Sequence, residues 1–136
     1  MAGIKNFSLP IRIYFEDTDS GGIVYHANYL KFMERARTEW LRSIQIDQRL
    51  LKQKEHVMFV VHRMDIQYKL PARFNDELLV KTELVEIGSS KIVFKQMIYR
   101  HDEMLIDAVV NIACIDSEKF KPVRVPKTIK HTMESL

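Results

Sequence analysis

Between Tyr29 and Ile44 the sequence reads YLKFMERARTEWLRSI, a stretch with the periodicity of one long amphipathic helix. Its apolar side chains recur at three- and four-residue steps, at Tyr29, Met33, Ala36, Trp40 and Ile44, with Leu30 and Leu41 beside them. Its polar face carries Lys31, Arg35, Thr38, Glu39 and Arg42. Asn28 is the expected N-cap, because its side chain can accept a hydrogen bond from a first-turn N–H group.

The sequence before this helix alternates as a strand does. Ile11, Ile13 and Phe15 share one side of the segment Ile11–Glu16, and polar residues or Tyr14 fill the other side. The next six residues, DTDSGG from Asp17 to Gly22, favour a turn. After the helix, Asp47 is expected to start a second, short helix that runs through Lys54.

The remaining two-thirds of the chain reads as further strands. The first carries one apolar face made of Met58, Val60, His62, Met64, Ile66, Tyr68 and Leu70, and Pro71 ends it. Two more cover Leu78–Ile87 and Ile92–Tyr99, with a hairpin turn between them, and a last face holds Met104, Ile106, Ala108, Val110, Ile112 and Cys114. The tail after Pro126 is expected to close with a turn of helix.

This order predicts an α+β domain that covers residues 1–136. Consecutive strands joined by tight turns favour an antiparallel sheet. Because the chain offers one long helix, we expect the concave face of a curved sheet to wrap around it.

Composition excludes several classes of protein. The 136 residues include 21 Lys and Arg against 18 Asp and Glu, dispersed along the chain, so nucleic acid is not expected as the main partner. Cys114 is the only cysteine, which leaves no internal disulfide or cysteine-based zinc site. No apolar run reaches the length of a membrane span, and the first residues, MAGIKNF, lack the apolar run of a signal peptide. We therefore expect a cytoplasmic protein without membrane insertion.

The segment from Tyr14 to Asn28, YFEDTDSGGIVYHAN, concentrates the residues that carry chemistry. It places Asp19 in a turn just before a helix start, whose free N–H groups attract negative charge. Gly21 and Gly22 would let the backbone approach a ligand closely. A plainer interpretation makes Asp17 and Asp19 turn acids and His26 a packed histidine. The acids lack the ligand set of a metal site, and the absence of glycine-loop motifs argues against a cofactor.

This segment, continued by FMERARTE from Phe32 to Glu39, resembles the acyl-CoA thioesterases of the hot-dog superfamily. The similarity is greatest to the 4-hydroxybenzoyl-CoA thioesterase-like branch that includes the Tol-Pal-associated YbgC proteins. It extends through FVVHR at 59–63, Tyr68, PAR at 71–73 and the stretch 116–122. The resemblance therefore covers nearly the whole chain.

The resemblance implies a fold, an assembly and a site. The fold is a curved antiparallel sheet of about five strands around one long helix, and the assembly is a homodimer or homotetramer with active sites at subunit interfaces. Asp19 becomes the catalytic carboxylate, either as a general base or as a nucleophile. The backbone N–H of His26 becomes the oxyanion donor, supported by Tyr25 and Gly22. One departure is Phe15, which stands where several relatives have a tyrosine.

The substrate implied by the resemblance is an acyl-CoA, with an acyl carrier protein thioester as the alternative. By the same analogy, Val60, Val61 and His62 would pair with the pantetheine amides. Arg63, Lys69 and Lys91 would face the CoA phosphates, although solvated strand positions explain these three cations equally well. No metal or organic cofactor is implied.

Two rival functions and one rival site are also considered. A hot-dog dehydratase would need a histidine with a proline- and glycine-containing run after it, which follows neither His26 nor His62. A non-catalytic acyl-thioester-binding protein would differ by releasing no thiol. Other hot-dog branches place their catalytic acid inside the helix, which makes Glu34 and Glu39 the alternatives to Asp19. Their spacing favours ion pairs instead, Glu34 with Arg37 and Glu39 with Arg35 or Arg42.

Overall fold

The structure, a computed structural model, describes residues 6–136 and contains one five-stranded sheet, three α-helices and one turn of 3-10 helix in that range. The strands are β1 (Asn6–Arg12), β2 (Val57–Tyr68), β3 (Glu77–Ile87), β4 (Lys91–Arg100) and β5 (Glu103–Asp116). The helices are α1 (Asn28–Ser43), α2 (Gln48–Glu55) and α3 (Lys127–Glu134). This element order confirms the predicted α+β class.

The sheet has the strand order β1-β3-β4-β5-β2, and each neighbouring pair is antiparallel. The three consecutive strands β3, β4 and β5 are joined by tight turns, as their spacing predicts. Strands β1 and β2 form the two edges. The arrangement confirms the hot-dog fold expected from the resemblance.

One face of helix α1 is buried against the sheet. Its first half joins a cluster with Phe32 and Met33 at its centre, together with residues of β3, β4 and β5. Its second half joins a cluster around Trp40, whose ring meets that of Phe94 edge to face at 5.1 Å. Trp40, Met33 and Phe32 expose at most 1% of their surface. Each such side chain contributes about 1.5–3 kcal/mol through burial, so α1 is the central element of the core.

The two shorter helices lie where the sequence places them. Asp47 caps α2, because its side chain accepts hydrogen bonds from the N–H groups of Arg49 and Leu50. Helix α2 then ends at Glu55, one residue beyond the expected end, and His56 leaves it in the left-handed conformation. Helix α3 confirms the helical turn expected after Pro126.

One buried polar network crosses the core between α1 and the sheet. Gln96, which is fully buried, accepts a hydrogen bond from Arg37 at 2.9 Å and donates to Thr82 and to the Met33 carbonyl. Burial lowers the pKa of Arg37, and the nearby Glu34 carboxylate opposes that shift. The prediction that Glu34 pairs with Arg37 is wrong: within residues 6–136 no ion pair joins them at 4.0 Å or less, and Arg37 bonds Gln96 instead. The spacing-based pairing of Glu39 with Arg42 is confirmed.

The first strand lies earlier in the chain than its alternation predicts. It ends at Arg12, and residues Phe15–Asp17 form a turn of 3-10 helix in which Phe15 is 77% exposed. Local side chains close this turn: the Asp17 carboxylate accepts the Tyr14 N–H at 2.8 Å, and the Thr18 hydroxyl donates to the Phe15 carbonyl. Side-chain bonds of this kind compete with strand pairing, so the alternating segment does not continue as a strand.

The predicted face of β2 is wrong in its first half. The pairing of β2 with β5 skips His62, because Val61 pairs with Ile112 and Arg63 with Asn111. A bulge of this kind reverses which residues face inward. Phe59 therefore packs on the core before the bulge, and Met64 and Ile66 pack on it afterwards. The strand also ends at Tyr68 rather than at Leu70.

Three further predictions concern the chain as a whole. Within residues 6–136, no helix combines the length and the apolar character needed to span a membrane. The absence of a signal-peptide run was inferred partly from residues 1–5, which lie outside the described residues. The prediction of a single domain over residues 1–136 includes those residues and stays a prediction.

Candidate active site

Asp19 lies at the start of a tight reversal that joins the 3-10 turn to α1. Its N–H donates to the Ile23 carbonyl at 2.9 Å, its carbonyl accepts the Gly22 N–H, and Thr18 pairs with Val24 across the reversal. Gly22 has φ +81°, which a residue with a side chain rarely adopts, and a Cβ there would meet nothing within 4 Å. The backbone therefore leaves open space at Gly22, three residues after Asp19, whereas a Cβ at Gly21 would lie 3.2 Å from Asp19 Oδ1.

The two aspartates of the D-x-D run point their carboxylates at different partners. Asp17 accepts the Tyr14 N–H and so closes the 3-10 turn. Asp19 is exposed, and its Oδ1 accepts the Gly21 N–H at 2.8 Å. One oxygen of Asp19 is thus fixed in direction by the turn. Among the described residues, no hydrogen bond is made to its other oxygen, Oδ2, which can act on a ligand.

The start of α1 carries backbone N–H groups that the protein does not cap. The N-cap position is Ala27, so no side chain caps the first turn. Within residues 6–136, the N–H groups of His26 and Ala27 donate no hydrogen bond. Free N–H groups at a helix start form a site for negative charge.

Asn28 does not cap the helix as predicted. It is the first helical residue, and its side-chain amide donates to the Asp17 carbonyl at 2.9 Å. The Tyr25 N–H donates to the same carbonyl. Asn28 therefore ties the aspartate turn to the helix start, and the Leu30 N–H, which it would have capped, donates to the Ala27 carbonyl at 3.2 Å instead.

Two tyrosines, Tyr25 and Tyr68, contact His26. The His26 ring lies against that of Tyr25, with 4.6 Å between centroids, and meets the Tyr68 ring edge-on. The Tyr68 hydroxyl donates to the His26 carbonyl at 3.1 Å, which holds the peptide group that precedes Ala27. Burial raises the pKa values of both Tyr68 and the neighbouring Tyr29, so both hydroxyls keep their protons at neutral pH.

A cavity of about 300 Å³ opens beside these rings. It is lined by Ile23, Val24, His26, Tyr29, Tyr68, Lys69, Leu70 and Pro71. Lys69 is thus the one of the six proposed substrate-binding residues that the fold brings next to His26.

The other five lie away from His26 within one chain. Tyr68 marks the end of β2 that touches His26, and Arg63 is five residues away from it, or about 17 Å along the strand. Val60, Val61 and His62 lie farther still along β2. Lys91 begins β4, at the end opposite to Arg100, and pairs with Glu86 at 3.1 Å. Arg100, at the other end, contacts Pro71 of the cavity beside His26. A single copy of the chain therefore does not gather the residues that the resemblance assigns to the substrate.

A second cavity, of about 180 Å³, lies between α1 and the β2 side of the sheet. Its walls are mainly apolar and include Leu41, Phe59, Val61, Ile92, Phe94 and Ile112, and its polar lining comes from Glu34, Arg37, Thr38 and Gln48. An engineered apolar cavity of about 150 Å³ takes up benzene. This cavity therefore has room for a group of that size.

Other nucleophiles and metal ligands do not assemble here. Among the described residues, no three His, Cys, Asp or Glu side chains come close enough together to hold a metal ion. Burial raises the pKa of the Cys114 thiol to about 11, which keeps it in the unreactive thiol form at neutral pH.

Sequence reasoning missed the groups that support the site from a distance. The Ala72 N–H donates to the buried Tyr29 hydroxyl at 3.0 Å, and the Ala72 carbonyl accepts the Val24 N–H at 2.9 Å. Arg100 binds the Asp76 carboxylate at 2.7 Å and the Pro71 carbonyl at 3.1 Å. These partners are 24 to 48 positions apart, so no local pattern signals them.

Comparison with known proteins finds one family throughout. The profile of the Thioesterase-like superfamily matches residues 13–133. An acyl-CoA thioesterase YbgC of Haemophilus influenzae is 45% identical over 132 residues, which is 97% of either chain. The crystal structure of a probable thioesterase from Bartonella henselae is 37% identical, with a TM-score of 0.84, and covers 89% of this chain and 99% of that one.

A more distant structure shows the same fold. A 4-hydroxybenzoyl-CoA thioesterase solved with 4-hydroxybenzoyl-CoA is 17% identical and has a TM-score of 0.88, and the match covers 95% of this chain and 99% of that chain. At this level of identity the likeness concerns the fold alone.

The Arg100–Asp76 pair leads to a prediction about acid stability. Burial raises the pKa of Asp76. Hydrogen bonds from Arg100 and from the Arg73 N–H lower this pKa by more than burial raises it, so the pKa is below its ordinary value. A lowered carboxyl pKa contributes stability above the unfolded-state pKa, near 4, and this contribution is lost as the pH falls through the folded-state pKa. The urea midpoint should therefore fall less steeply between pH 6 and pH 3 for Asp76→Asn than for the parent.

Asp65→Asn, at an exposed position of β2, is the matched control and should follow the parent curve. Parallel curves for the parent and Asp76→Asn would show that the pair does not contribute to acid sensitivity. Glu103, which also faces Arg100, and Tyr29 are unchanged in all three proteins.

Proposed function

The chain belongs to the Thioesterase-like superfamily and is an acyl-CoA thioester hydrolase, and we propose that Asp19 and the start of α1 carry out this reaction. The observation that carries the proposal is the pairing of an exposed carboxylate, fixed by its own turn, with uncapped N–H groups at the adjoining helix start. The homologous enzyme from Haemophilus influenzae, matched along nearly the whole chain, supports the choice of an acyl-CoA as substrate. An acyl carrier protein thioester stays the alternative substrate.

Thioester hydrolysis suits this small set of groups. The leaving thiol has a pKa near 8.5, so it departs as a thiolate near neutral pH without strong protonation. The reaction therefore needs an activated nucleophile and a partner for the developing oxyanion. Asp19 supplies the first, and the N–H of His26 supplies the second.

The Asp19 carboxylate has two routes to product. As a general base, Oδ2 takes a proton from water while the water oxygen bonds to the acyl carbon and the carbon–sulfur bond breaks. As a nucleophile, the same oxygen bonds to the acyl carbon, expels the thiolate and leaves a mixed anhydride that water then hydrolyses. Both routes yield a carboxylic acid and a thiol, and both place the acyl oxygen at the helix start.

The side chain of His26 has a smaller part in this proposal than its backbone. Its ring is held between Tyr25 and Tyr68, and its carbonyl is fixed by the Tyr68 hydroxyl. These contacts orient the backbone on both sides of His26. Tyr25 and Gly22 support the site in a similar way, one by packing and the other by leaving open space.

The proposed site also includes a second copy of this chain. Strand β2 is a 12-residue edge whose outer side pairs with no other strand among the described residues, and it exposes 48% of Val61 and 45% of Tyr68. A long exposed edge favours pairing with another chain. The assigned substrate-binding residues of β2 lie on this edge. We therefore place the complete site in a homodimer joined through β2, with a homotetramer as the larger alternative.

The apolar cavity between α1 and β2 is the proposed pocket for the acyl group. It lies beside the β2 edge and includes Val61, which the resemblance already assigns to the substrate. Its volume fits a short or aromatic acyl group better than a long chain.

A location in the cytoplasm, expected from the sequence, stays a prediction.

The central prediction concerns Asp19→Asn. Asparagine retains an oxygen that can accept the Gly21 N–H, so the free energy of unfolding should change by about 1 kcal/mol or less. Turnover should fall by about 10²–10⁴-fold, because the variant lacks a base or nucleophile at this position. The measurement is thiol release from a panel of short, long and aromatic acyl-CoAs.

Asp17→Asn is the matched control, because Asp17 bonds the Tyr14 backbone rather than facing a ligand, and its loss of turnover should be the smaller one. If Asp19→Asn folds, binds acyl-CoA and turns it over within tenfold of the parent, the assignment fails and Glu34 becomes the next candidate. No thiol release by the parent protein would favour the non-catalytic binding protein.

Assembly should be visible by sedimentation equilibrium at micromolar concentration. We expect a mass at least twice the 16.1 kDa of one chain. Specific activity should fall on dilution over the same concentrations at which the mass falls. A fully active species with the mass of one chain would contradict both the dimer and a site completed by a second copy.

The acyl pocket is tested with Phe59→Trp, which adds volume to the cavity wall. For benzoyl-CoA and hexanoyl-CoA, kcat/KM should fall about tenfold or more, whereas for acetyl-CoA it should stay within about twofold. Phe120→Trp, at an exposed position outside the cavity, is the matched control. An equal loss for all three substrates would show that the cavity does not receive the acyl group.

A further inference from the structure

The loop between β2 and β3, residues 69–76, is held at both ends by one guanidinium group. Arg100 Nη1 donates to the Pro71 carbonyl at 3.1 Å and to the Asp76 carboxylate at 2.7 Å, and its Nε donates to Glu103 at 3.1 Å. The Arg100 and Asp76 side chains are 17% and 23% exposed. A planar guanidinium can serve these acceptors at the same time, which an ammonium group cannot do in the same geometry.

The middle of this loop contacts the active-site segment on both sides of His26. Ala72 is fully buried, its carbonyl accepts the Val24 N–H at 2.9 Å, and its N–H donates to the Tyr29 hydroxyl at 3.0 Å. Val24 precedes the helix start, and Tyr29 belongs to the first turn of α1. One residue of the loop therefore fixes the two ends of the segment that carries the proposed oxyanion donor.

The same contacts reach Asp19 through the backbone. Arg73 pairs with Ile23 as an isolated bridge, and the Ile23 carbonyl accepts the Asp19 N–H at 2.9 Å. Val24 pairs with Thr18 across the reversal. The position of the Asp19 turn thus depends on the position of residues 72 and 73.

We propose that Arg100 is a positioning residue for thioester hydrolysis, holding the 69–76 loop so that this loop sets the distance between the Asp19 carboxylate and the free N–H groups at the start of α1. The proposal rests on the function assigned above to Asp19 and His26. Arg100 does not touch the reacting atoms and acts through Pro71, Asp76 and Ala72. A displacement of about 1 Å in such a site can cost about 10²-fold in rate.

A structural role alone would have a different signature. Arg100 and Glu103 face each other where β4 and β5 meet, so Arg100 could serve only to close that hairpin. Its removal would then lower stability and leave the kcat of the folded protein unchanged. A positioning role instead lowers kcat more than it raises KM, because the loop orders the reacting groups, whereas five of the six proposed substrate-binding residues lie outside it, in β2 and β4.

The test compares Arg100→Gln and Arg100→Lys with the parent, at a temperature well below the unfolding midpoint of each protein. For Arg100→Gln we expect kcat to fall about tenfold and KM to stay within about twofold. Arg100→Lys keeps a positive charge beside Asp76 but loses the planar guanidinium. Its kcat should therefore lie between that of the parent and that of Arg100→Gln. If Arg100→Gln does not fold, Arg100→Lys decides: a parental kcat for Arg100→Lys would overturn the proposal.

Arg12→Gln is the matched control. Arg12 makes the same kinds of contact, to the Asn75 carbonyl at 2.8 Å and to the Glu77 carboxylate at 2.8 Å, but it is 52% exposed and bonds neither Pro71 nor Asp76. Its loss should leave kcat within about twofold of the parent. A tenfold loss in Arg12→Gln would show that any disturbance near this loop lowers the rate and would overturn a specific role for Arg100.

A double variant separates this proposal from the assignment of Asp19. In an Asp19→Asn background, Arg100→Gln should lower kcat no further, because the carboxylate that it positions is absent. If the parent hydrolyses acyl-CoA and Asp19→Asn collapses while Arg100→Gln keeps its kcat, only the positioning proposal fails. If Asp19→Asn retains parental turnover, the proposed function fails first.

Discussion

One helix and one sheet have to bury each other in this protein. Helix α1 carries Phe32, Met33 and Trp40 on the face that meets the sheet, and these side chains are almost completely withdrawn from solvent. The remaining described helices have eight residues each, too few to cover a five-stranded sheet alone. The sheet therefore curves around α1, and the first turn of the helix is brought to the rim where β1 ends and the 69–76 loop crosses.

The contacts of Asn28 at the start of α1 explain why this helix has no side-chain N-cap. A missing N-cap typically costs about 1 kcal/mol, and here Asn28 uses its side chain on the Asp17 carbonyl instead of on the first turn. The bond fixes the aspartate turn against the helix, so the same side chain that fails to cap α1 holds the catalytic candidate beside it. The N–H groups of His26 and Ala27 stay free, and they include the donor that we propose for the oxyanion.

Most of the fold follows from periodicity, and the exceptions share a physical cause. The spacing of apolar residues predicts α1, α2 and the strands β3 to β5, because burial against a large surface determines those elements. It fails at β1 and in the first half of β2, where Asp17 and Thr18 close a turn and where His62 is bulged. One or two local hydrogen bonds decide such points, and an averaged pattern does not contain them.

The residues of the candidate site likewise fall into those that a local sequence pattern reveals and those that it does not. Asp19, Gly22 and His26 lie within eight residues of one another, so a local motif is enough to find them. A reversal this short is not stable alone, and its shape comes from Ala72, Tyr29 and the acceptors of Arg100, which are far apart in sequence and meet only in the folded chain. The proposed acyl pocket is built from yet other elements, the middle of α1 and the edge of β2. Since these three sets of residues are largely separate, a substitution in the pocket can change which acyl group fits without moving the carboxylate or its supporting loop.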